Sequence, residues 1–279
     1  MSSFSFDSWS QTQRTKFERS LRSVFSSHSE SCIRTAIEYP LQTGGKRIRP
    51  LFVLAAAEAF GEYNTESALC SSLSIELIHT YSLVHDDLPC MDDDDLRRGK
   101  PTVHKQYGEA PALLVGDALL TEAFAVLSNS PHLKQTLPII SKAAGISGMI
   151  GGQSIDIGFE GAVTTLEDLT RLHVHKTGAL IKASCLLGGI AAEASIRELM
   201  LLETYGNAVG LAFQLADDLL DEEEDKEENG PPSFVKLLGA EETRATALRY
   251  HAQALEICLS LPNPQALRAL ADFSVSRTY

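Results

Sequence analysis

The spacing of apolar residues constrains the fold of this chain more than any other feature of its sequence. Segments 68–87, 110–129, 177–195 and 201–225 repeat apolar residues at intervals of three and four and are rich in Ala and Leu. None of them shows the strict apolar and polar alternation of a half-buried strand. The pattern therefore predicts an all-α protein.

Clusters of Pro and Gly mark the expected breaks between these helices. They occur as QTGGKRIRP, LPCMDDDDLRRGKP, GMIGGQSIDIG, ENGPPS and SLPNPQ. None is long enough to link two domains, and no repeat of fixed period is present. With 279 residues, of which 44% are hydrophobic, the chain is expected to form one domain over 1–279.

The charge and the cysteines exclude several classes of function. The formal net charge is −13, which argues against a nucleic-acid partner because phosphate backbones recruit basic surfaces. The five cysteines are far apart and form no CxxC pair, so we expect reduced thiols in a cytoplasmic protein. No apolar signal region begins the chain and no apolar run approaches the ~20 residues that cross a bilayer, so we expect no membrane span.

The segment QLADDLLDEEED ends an apolar helical run with paired carboxylates. Asp217 and Asp221 are four residues apart, which places both on one face of a helix. Their repulsion is costly beside the apolar run GLAFQL, and a divalent cation removes that cost. A solvated acidic face is the alternative, and it is the preferred interpretation for residues 222–228.

A second acidic cluster, HDDLPCMDDDDLRRG, places six aspartates within ten residues and two arginines directly after them. Pro89 prevents simple continuation of the helix, so a loop could return Asp92 towards Asp86. Mg²⁺ binds carboxylates and water and shares its shell with substrate phosphate. Arg97 and Arg98 supply fork-shaped donors that match phosphate oxygens. The cluster predicts a site for several Mg²⁺ ions and a diphosphate, with a solvated charged face as the alternative.

A basic segment, TGGKRIRP, precedes this cluster. Gly44 and Gly45 loosen the backbone, and Lys46, Arg47 and Arg49 then supply three cations in four residues. The spacing fits an anion cradle. It is not a Walker A loop, because no GxxxxGK[ST] is present. Cations at a helix C-terminus are the alternative.

Five motifs follow one another along the chain: GGKRIRP, HTYSLVHDDLPCMDDDDLRRGKPTVHKQYGEAPALLVGDALLTEAF, GGQSIDI, HKTGALI and GLAFQLADDLLD. In this order they resemble the trans-isoprenyl diphosphate synthases, nearest to the bacterial-type farnesyl diphosphate synthases. The resemblance spans about residues 30–221. It implies a helical bundle around a deep central cavity, a homodimer, and Mg²⁺-dependent head-to-tail joining of isopentenyl diphosphate to dimethylallyl or geranyl diphosphate.

The resemblance also implies roles for individual residues. Asp86 and Asp92 match the first metal-binding motif, and Asp217 and Asp221 match the second. The residues that match the isopentenyl diphosphate site are Lys46, Arg49, His79 and Arg98. Arg97 matches a contact to the allylic diphosphate. The residues that match polar groups near the reacting carbons are Lys176, Thr177 and Gln214.

The length of the product is predicted from the segment HTYSLVHDD. An allylic diphosphate bound at Asp86 would run its hydrocarbon chain along this helix, towards Ser82 and Tyr81. The small Ser82 admits a ten-carbon substrate and the Tyr81 ring blocks further growth, so we expect farnesyl diphosphate. Geranyl and geranylgeranyl diphosphate are the alternative products, and core packing is the alternative role of Tyr81.

The sequence departs from the family after the second aspartate motif. Family members usually continue with a lysine-bearing loop and GKxTYP, whereas this chain has a shorter loop and Gly-Pro at 230–231, with Lys226 and Lys236 as candidate substitutes. This departure keeps open a non-catalytic subunit of a heteromeric prenyltransferase. Two further alternatives are a metal-dependent phosphohydrolase, suggested by His85 and Asp86, and a terpene cyclase, which would lack the isopentenyl site.

Overall fold

A computed structural model describes residues 4–220 and 232–276. The predicted all-α class is confirmed. A π-helical segment, Val174–Gly178, joins α9 to α10, and strands β1 (Leu96–Arg97) and β2 (Lys100–Pro101) form a hairpin between α4 and α5. The helices are α1 Phe6–Ser23, α2 Cys32–Gln42, α3 Ile48–Glu58, α4 Thr65–Asp86, α5 Val103–Tyr107, α6 Glu109–Leu127, α7 Leu133–Ala144, α8 Met149–Asp156, α9 Leu166–His173, α10 Ala179–Ala191, α11 Ile196–Leu220, α12 Phe234–Leu238, α13 Ala240–Cys258 and α14 Gln265–Ser276.

Helix α4 runs through the middle of the core. The Asn64 side chain caps its N-terminus by accepting a hydrogen bond from the Ser67 amide at 2.8 Å. Helices α3, α6 and α10 pack around it, and its fully buried side chains include Ile75, Leu77 and Ile78. Because it is enclosed on several sides, its sequence is apolar on more than one face. This packing fixes the position of the aspartates at its C-terminal end.

Helices α10 and α3 touch through their backbones. A side chain at Gly188 would place its Cβ 2.2 Å from the Val53 carbonyl oxygen, which no real contact allows. A glycine inside a helix costs about 1 kcal/mol relative to alanine, and the close approach offsets that cost. The contact anchors α10 against α3, the helix that carries Arg49 near its start.

One predicted break is wrong. The stretch GMIGGQSIDIG was expected to interrupt the helices, but it contains helix α8, Met149–Asp156. A Cβ at Gly152 would lie 2.2 Å from the amide nitrogen of Lys176. The glycine therefore allows α8 to contact the π-helical segment directly, and it does not end a helix.

In the described ranges, α6 alone is long and apolar enough to cross a membrane, with a mean hydropathy of 1.6. Asp117 and Glu122 interrupt its apolar sequence, and buried residues such as Leu119 pack in the core cluster that includes α4. Core helices pass the same test, so α6 is weak evidence for a membrane span. The absence of a span stays a prediction.

Candidate active site

An apolar cavity of about 530 Å³ opens beside the C-terminal half of α4. Tyr81 and Ser82 line it together with apolar side chains of α6, α8 and the loop after α8. Asp86, Lys176 and Thr177 add polar groups to the same wall. A mostly apolar cavity with a few charged groups suits a ligand that has an apolar chain and an anionic head.

A second, basic cavity of about 410 Å³ shares Arg49 and His79 with the apolar cavity. Its lining also includes Lys46, Arg98 and Phe213. Burial lowers the pKa of Arg49 and Arg98, and burial together with the nearby arginines holds the pKa of His79 well below its ordinary value. His79 is therefore neutral near pH 7. The structure brings together all four residues predicted for the isopentenyl diphosphate site.

Arg47 borders the same cavity, but its guanidinium is already bound to protein partners, so its role in the anion cradle stays a prediction. Its guanidinium donates to Glu18 at 2.7 Å, to Glu76 at 2.8 Å and to the Leu41 carbonyl at 2.6 Å. Its backbone lies in the left-handed region, with φ of 50°. The segment TGGKR follows the end of α2, and the bond from Arg47 to Leu41, in the last turn of α2, fits the alternative of a cation at a helix C-terminus. The order of cations in the sequence did not show the direction of each side chain.

Arg97 and Arg98 point to different parts of the site because a hairpin turn divides them. Arg98 and Gly99 form the two-residue turn between β1 and β2, with φ of 54° and 72°, as in a type I′ turn. Arg97 donates to Asp87 at 2.6 Å, beside the first aspartate motif. Arg98 donates to the carbonyl of Gly44 and lines the basic cavity. Arg97 thus contacts the first aspartate motif, whereas Arg98 lines the basic cavity.

The turn after α4 returns Asp92 to Asp86, as Pro89 led us to expect. Helix α4 ends at Asp86, and the Asp92 amide donates to the Asp86 carbonyl at 2.8 Å. Burial raises the pKa of Asp86 to about 6, opposed by the charge of Lys176 and increased by that of Asp92. Burial also raises the pKa of Asp92. Two nearby carboxylates that resist ionisation form an arrangement that a divalent cation stabilises.

The second motif approaches the site through Asp217, on the last turn of α11. Its charge opposes the fall in the pKa of Arg49 that burial causes, so the two residues interact electrostatically. Asp221 lies outside the described residues, as do Lys226 and the Gly-Pro pair at 230–231. The pairing of Asp217 with Asp221 therefore stays a prediction.

A hydrogen-bonded chain links the π-helical segment to α11 and α12. The Thr177 hydroxyl donates to Gln214 at 3.1 Å, and the Gln214 amide donates to Asp218 at 3.3 Å. The other oxygen of Asp218 accepts from the Phe234 amide at 2.6 Å. Thr177 and Gln214, which were both predicted to lie near the reacting carbons, are thus in direct contact. The candidate lysine of the following segment, Lys236, is exposed on α12.

The family model described as "Polyprenyl synthetase" matches residues 30–252. This chain belongs to the polyprenyl synthetase family. It is 41% identical to a farnesyl diphosphate synthase of Escherichia coli over 86% of this chain and 88% of that one. It is 40% identical to a chloroplastic geranylgeranyl pyrophosphate synthase of Capsicum annuum over 88% of this chain and 71% of that one. The resemblance inferred from the five motifs is confirmed, and the chain is a prenyltransferase.

A solved structure supports the same assignment of the fold. The geranyltransferase of Helicobacter pylori, complexed with magnesium and isoprenyl diphosphate, superposes with a TM-score of 0.83 at 36% identity. The match covers 99% of this chain and 98% of that one. The expected helical bundle of the isoprenoid synthases is confirmed.

The histidine before the first aspartate has a packing role in this polyprenyl synthetase. Nε2 of His85 donates to the Leu113 carbonyl at 3.0 Å, and the ring meets the edge of Tyr81 at 5.8 Å. A Cβ at Gly116 would lie 2.0 Å from this nitrogen, so the glycine makes room for the ring. His85 joins α4 to α6. With the family established, the phosphohydrolase interpretation of His85 and Asp86 is wrong.

Asp156 is a residue of the site that the sequence reasoning missed. It closes the motif GGQSIDI, which entered only the family resemblance, and it forms an ion pair with Lys176. Its charge also adds to the rise in the pKa of Asp86 and Asp92 that burial causes. The sequence signal for Asp156 is its position in the motif GGQSIDI. Its partner, Lys176, lies 20 residues away, so no local pattern shows the ion pair.

The predicted aspartates form a loose set of possible metal ligands. Within residues 4–220 and 232–276, the one group of three ligands within 4.8 Å of one another is Asp93, Asp95 and His104. Asp95 is already paired with Lys105 at 2.7 Å. Wider spacing of the predicted aspartates suits Mg²⁺, which takes much of its shell from water and phosphate. The hard oxygen donors of the first motif fit this ion.

Burial of Asp86 has a consequence for stability that can be measured. Its pKa is about 6 in the folded state, above the ordinary value of 3.8, so the folded state binds more protons between these limits. Without metal, the free energy of unfolding should therefore fall as the pH rises from 4 to 6 and stay low above it. At pH 7.5, Asp86→Asn should stabilise the metal-free protein by about 3 kcal/mol.

Urea unfolding in the presence of a chelator, at pH 5 and at pH 7.5, tests this expectation. The difference between Asp86→Asn and the unmodified protein should shrink at the lower pH. A difference of the same size at both pH values would show that ionisation of Asp86 does not destabilise the fold.

Proposed function

We propose that this prenyltransferase joins isopentenyl diphosphate head to tail to dimethylallyl or geranyl diphosphate, in a Mg²⁺-dependent reaction that yields mainly farnesyl diphosphate. The observation that carries the proposal is the pair of adjoining cavities, one apolar and one basic, that share Arg49 and His79. The apolar cavity suits the allylic chain and the basic cavity suits a diphosphate. Substrates held in adjoining cavities can react without the entropy cost of a free encounter.

The aspartates act in this proposal as ligands and not as acids or bases. Asp86, Asp92 and Asp217, with Asp221 from the undescribed part, would hold several magnesium ions against the allylic diphosphate. When bound, Mg²⁺ neutralises the charge that develops on the leaving diphosphate. The magnesium and isoprenyl diphosphate in the Helicobacter pylori structure support this assignment. Arg97, held beside the first motif by Asp87, supplies a further cation.

The polar residues near the reacting carbons act on a short-lived cation. Loss of diphosphate breaks the allylic C–O bond, the isopentenyl double bond attacks the resulting carbocation, and the released diphosphate takes the proton that leaves. No protein base is required. Thr177 and Gln214, hydrogen-bonded to each other, can set dipoles beside the cation. The apolar lining excludes water that would otherwise capture it.

The length of the product is assigned from Tyr81, because overall similarity does not decide it. Relatives named for farnesyl and for geranylgeranyl products match at 41% and 40% identity. Tyr81 lines the apolar cavity, is 5% exposed and packs against the ring of His85. Its ring therefore has little freedom to move aside for a longer chain.

Incubation of the purified protein with Mg²⁺, isopentenyl diphosphate and geranyl diphosphate tests the proposal. Chromatography of the dephosphorylated products should show mainly the fifteen-carbon alcohol. No elongation would favour a non-catalytic subunit of a heteromeric enzyme, and a cyclic hydrocarbon would favour a cyclase.

Loss of a cation from the basic cavity should weaken one substrate selectively. We expect Lys46→Ala and Arg49→Ala to raise the KM for isopentenyl diphosphate by roughly tenfold, the effect of one charge-assisted hydrogen bond, and to change the KM for geranyl diphosphate less. Steady-state kinetics with each substrate varied in turn gives both constants. Lys134→Ala, on the exposed side of α7, is the matched control. Equal changes in both constants would contradict the assignment.

We also propose a homodimer in the cytoplasm. Large apolar side chains of α6 and of the region around α8 are exposed, including Leu114 at 57% and Phe159 at 85%, and exposed apolar surface of this kind is typical of a protein interface. All five cysteines are free thiols, which suits a reducing compartment. Light scattering after size exclusion should give twice the 30.3 kDa mass of the chain, and a monomeric mass would contradict the dimer.

A further inference from the structure

We propose that Asp156 is a positioning residue, which holds the Lys176 ammonium in place for the diphosphate of the allylic substrate. The two side chains form a direct ion pair and are 30% and 27% exposed, so the contact is partly shielded from water. This inference rests on the proposed function, which assigns the apolar cavity to the allylic chain, and Lys176 lines that cavity together with Asp86. It gives Asp156, within the motif GGQSIDI, a role that the proposed function does not assign.

The backbone holds this pair in register. Gly152 and Asp156 are four residues apart on α8 and therefore lie on one face of the helix. Gly152 contacts the Lys176 backbone, since a Cβ there would lie 2.2 Å from the amide nitrogen, and Asp156 contacts the Lys176 side chain. Lys176 lies in the π-helical segment Val174–Gly178, and such turns are frequent at functional sites. One helix thus fixes both ends of the lysine.

The charges around Lys176 show what the ammonium faces. Burial raises the pKa of both Asp86 and Asp92; the charge of Lys176 opposes this rise, and the charge of Asp156 adds to it. Lys176 therefore lies within electrostatic range of the first aspartate motif. An ammonium has three donors, of which Asp156 takes one and leaves the others for phosphate oxygens.

A lysine that is already held loses less freedom when the substrate binds. Free lysine side chains lose more rotamer entropy on ordering than most others, and Asp156 removes much of this loss before binding. Simple charge repulsion predicts the opposite effect, because Asp156 is an anion near an anionic substrate. Removal of its charge should weaken binding if Asp156 positions Lys176, and should tighten binding if repulsion dominates. The sign of the change separates the two.

Calorimetric titration with geranyl S-thiolodiphosphate in the presence of Mg²⁺ measures whether binding weakens or tightens. The carbon–sulfur bond of this analogue does not break, so binding is measured without reaction. We expect Asp156→Asn to weaken binding by about tenfold, the scale set by ordering one long side chain, and Asp156→Glu to recover part of it. The KM for geranyl diphosphate should rise in parallel, whereas the KM for isopentenyl diphosphate should not change. Glu203→Gln, which breaks the Lys182–Glu203 pair at 3.5 Å, is the control and should have no effect.

A double-mutant cycle with Lys176→Met tests whether Asp156 acts through the lysine. Asp156→Asn should add nothing to the loss that Lys176→Met already causes. Three results would each overturn the inference. One is tighter binding of the analogue by Asp156→Asn. The others are losses of affinity that add up in the double variant, and a higher Mg²⁺ requirement of Asp156→Asn that persists in the Lys176→Met background. Failure of the unmodified protein to elongate would instead overturn the proposed function. An unmodified protein that elongates, with Asp156→Asn unchanged in analogue affinity, would overturn the positioning role alone.

Discussion

Replacement of Asp86 or Asp217 by Ala should lower the turnover rate by roughly 10²-fold or more, by analogy with the removal of one oxyanion donor. Both carboxylates are assigned to metal ions whose contribution grows as charge develops on the leaving diphosphate. Asp86 is 8% exposed at the end of α4, so water cannot simply replace it. The loss should therefore appear in turnover, even when both substrates are saturating.

Turnover measured over a series of Mg²⁺ concentrations checks this expectation. Glu256→Ala, which removes an exposed carboxylate from α13, is the control for loss of negative charge and should keep normal turnover. If Asp217→Ala turned over at a near-normal rate, the second aspartate motif would have no part in the mechanism. If both variants recovered fully at high Mg²⁺, each aspartate would contribute affinity for the ion and no more.

Removal of the Tyr81 ring should lengthen the product from fifteen to twenty carbons. Tyr81 lies five residues before Asp86, which places it ~7.5 Å along the axis of α4 from the assigned metal ligand. Its ring lines the apolar cavity and is buried, so Tyr81→Ala opens space where the chain would otherwise stop. Ser82→Phe should have the opposite effect, because a ring in place of Ser82 fills the space that a ten-carbon substrate needs.

Tyr81→Phe is the matched control for this prediction. The Tyr81 hydroxyl is buried and has no hydrogen-bond partner among the described residues, so its loss should leave the length of the product unchanged. Chromatography of the dephosphorylated alcohols from all three variants measures the result. Mainly twenty-carbon alcohol from the unmodified protein, or no change in either Tyr81→Ala or Ser82→Phe, would show that another residue limits chain growth.

Features encoded within a few residues could be predicted from the sequence. Pro89 ends α4 because proline cannot continue the helix, and the returning loop then connects Asp92 to Asp86. The helices were predictable for the same reason, since apolar residues three and four apart lie on one face. The separate roles of Arg97 and Arg98 were inferred from the family resemblance. The structure shows the physical cause: Arg97 ends strand β1, whereas Arg98 lies in the hairpin turn, where it and Gly99 have positive φ angles.

Features that depend on distant contacts could not be predicted in this way. Arg47 turns into the core because Glu18 and Glu76, each 29 residues away, accept its hydrogen bonds. Gly152 looked like a break because the sequence does not show that the backbone of another helix lies against it. The importance of Asp156 depends on Lys176, and no local pattern connects the two.

The π-helical segment between α9 and α10, Val174–Gly178, holds more residues than one α-helical turn would. Because a π-helical turn takes more residues than the 3.6 of an α-helix, residues 174–178 turn the chain by about as much as four α-helical residues would. Deletion of one residue there would let the hydrogen bonds close as an ordinary α-helix and would leave α9 and α10 in nearly the same phase. The loss would fall on the wall of the apolar cavity, which Lys176 and Thr177 line together with Asp86. The wide turn thus adds a residue to the site without rotating the buried faces of the helices on either side.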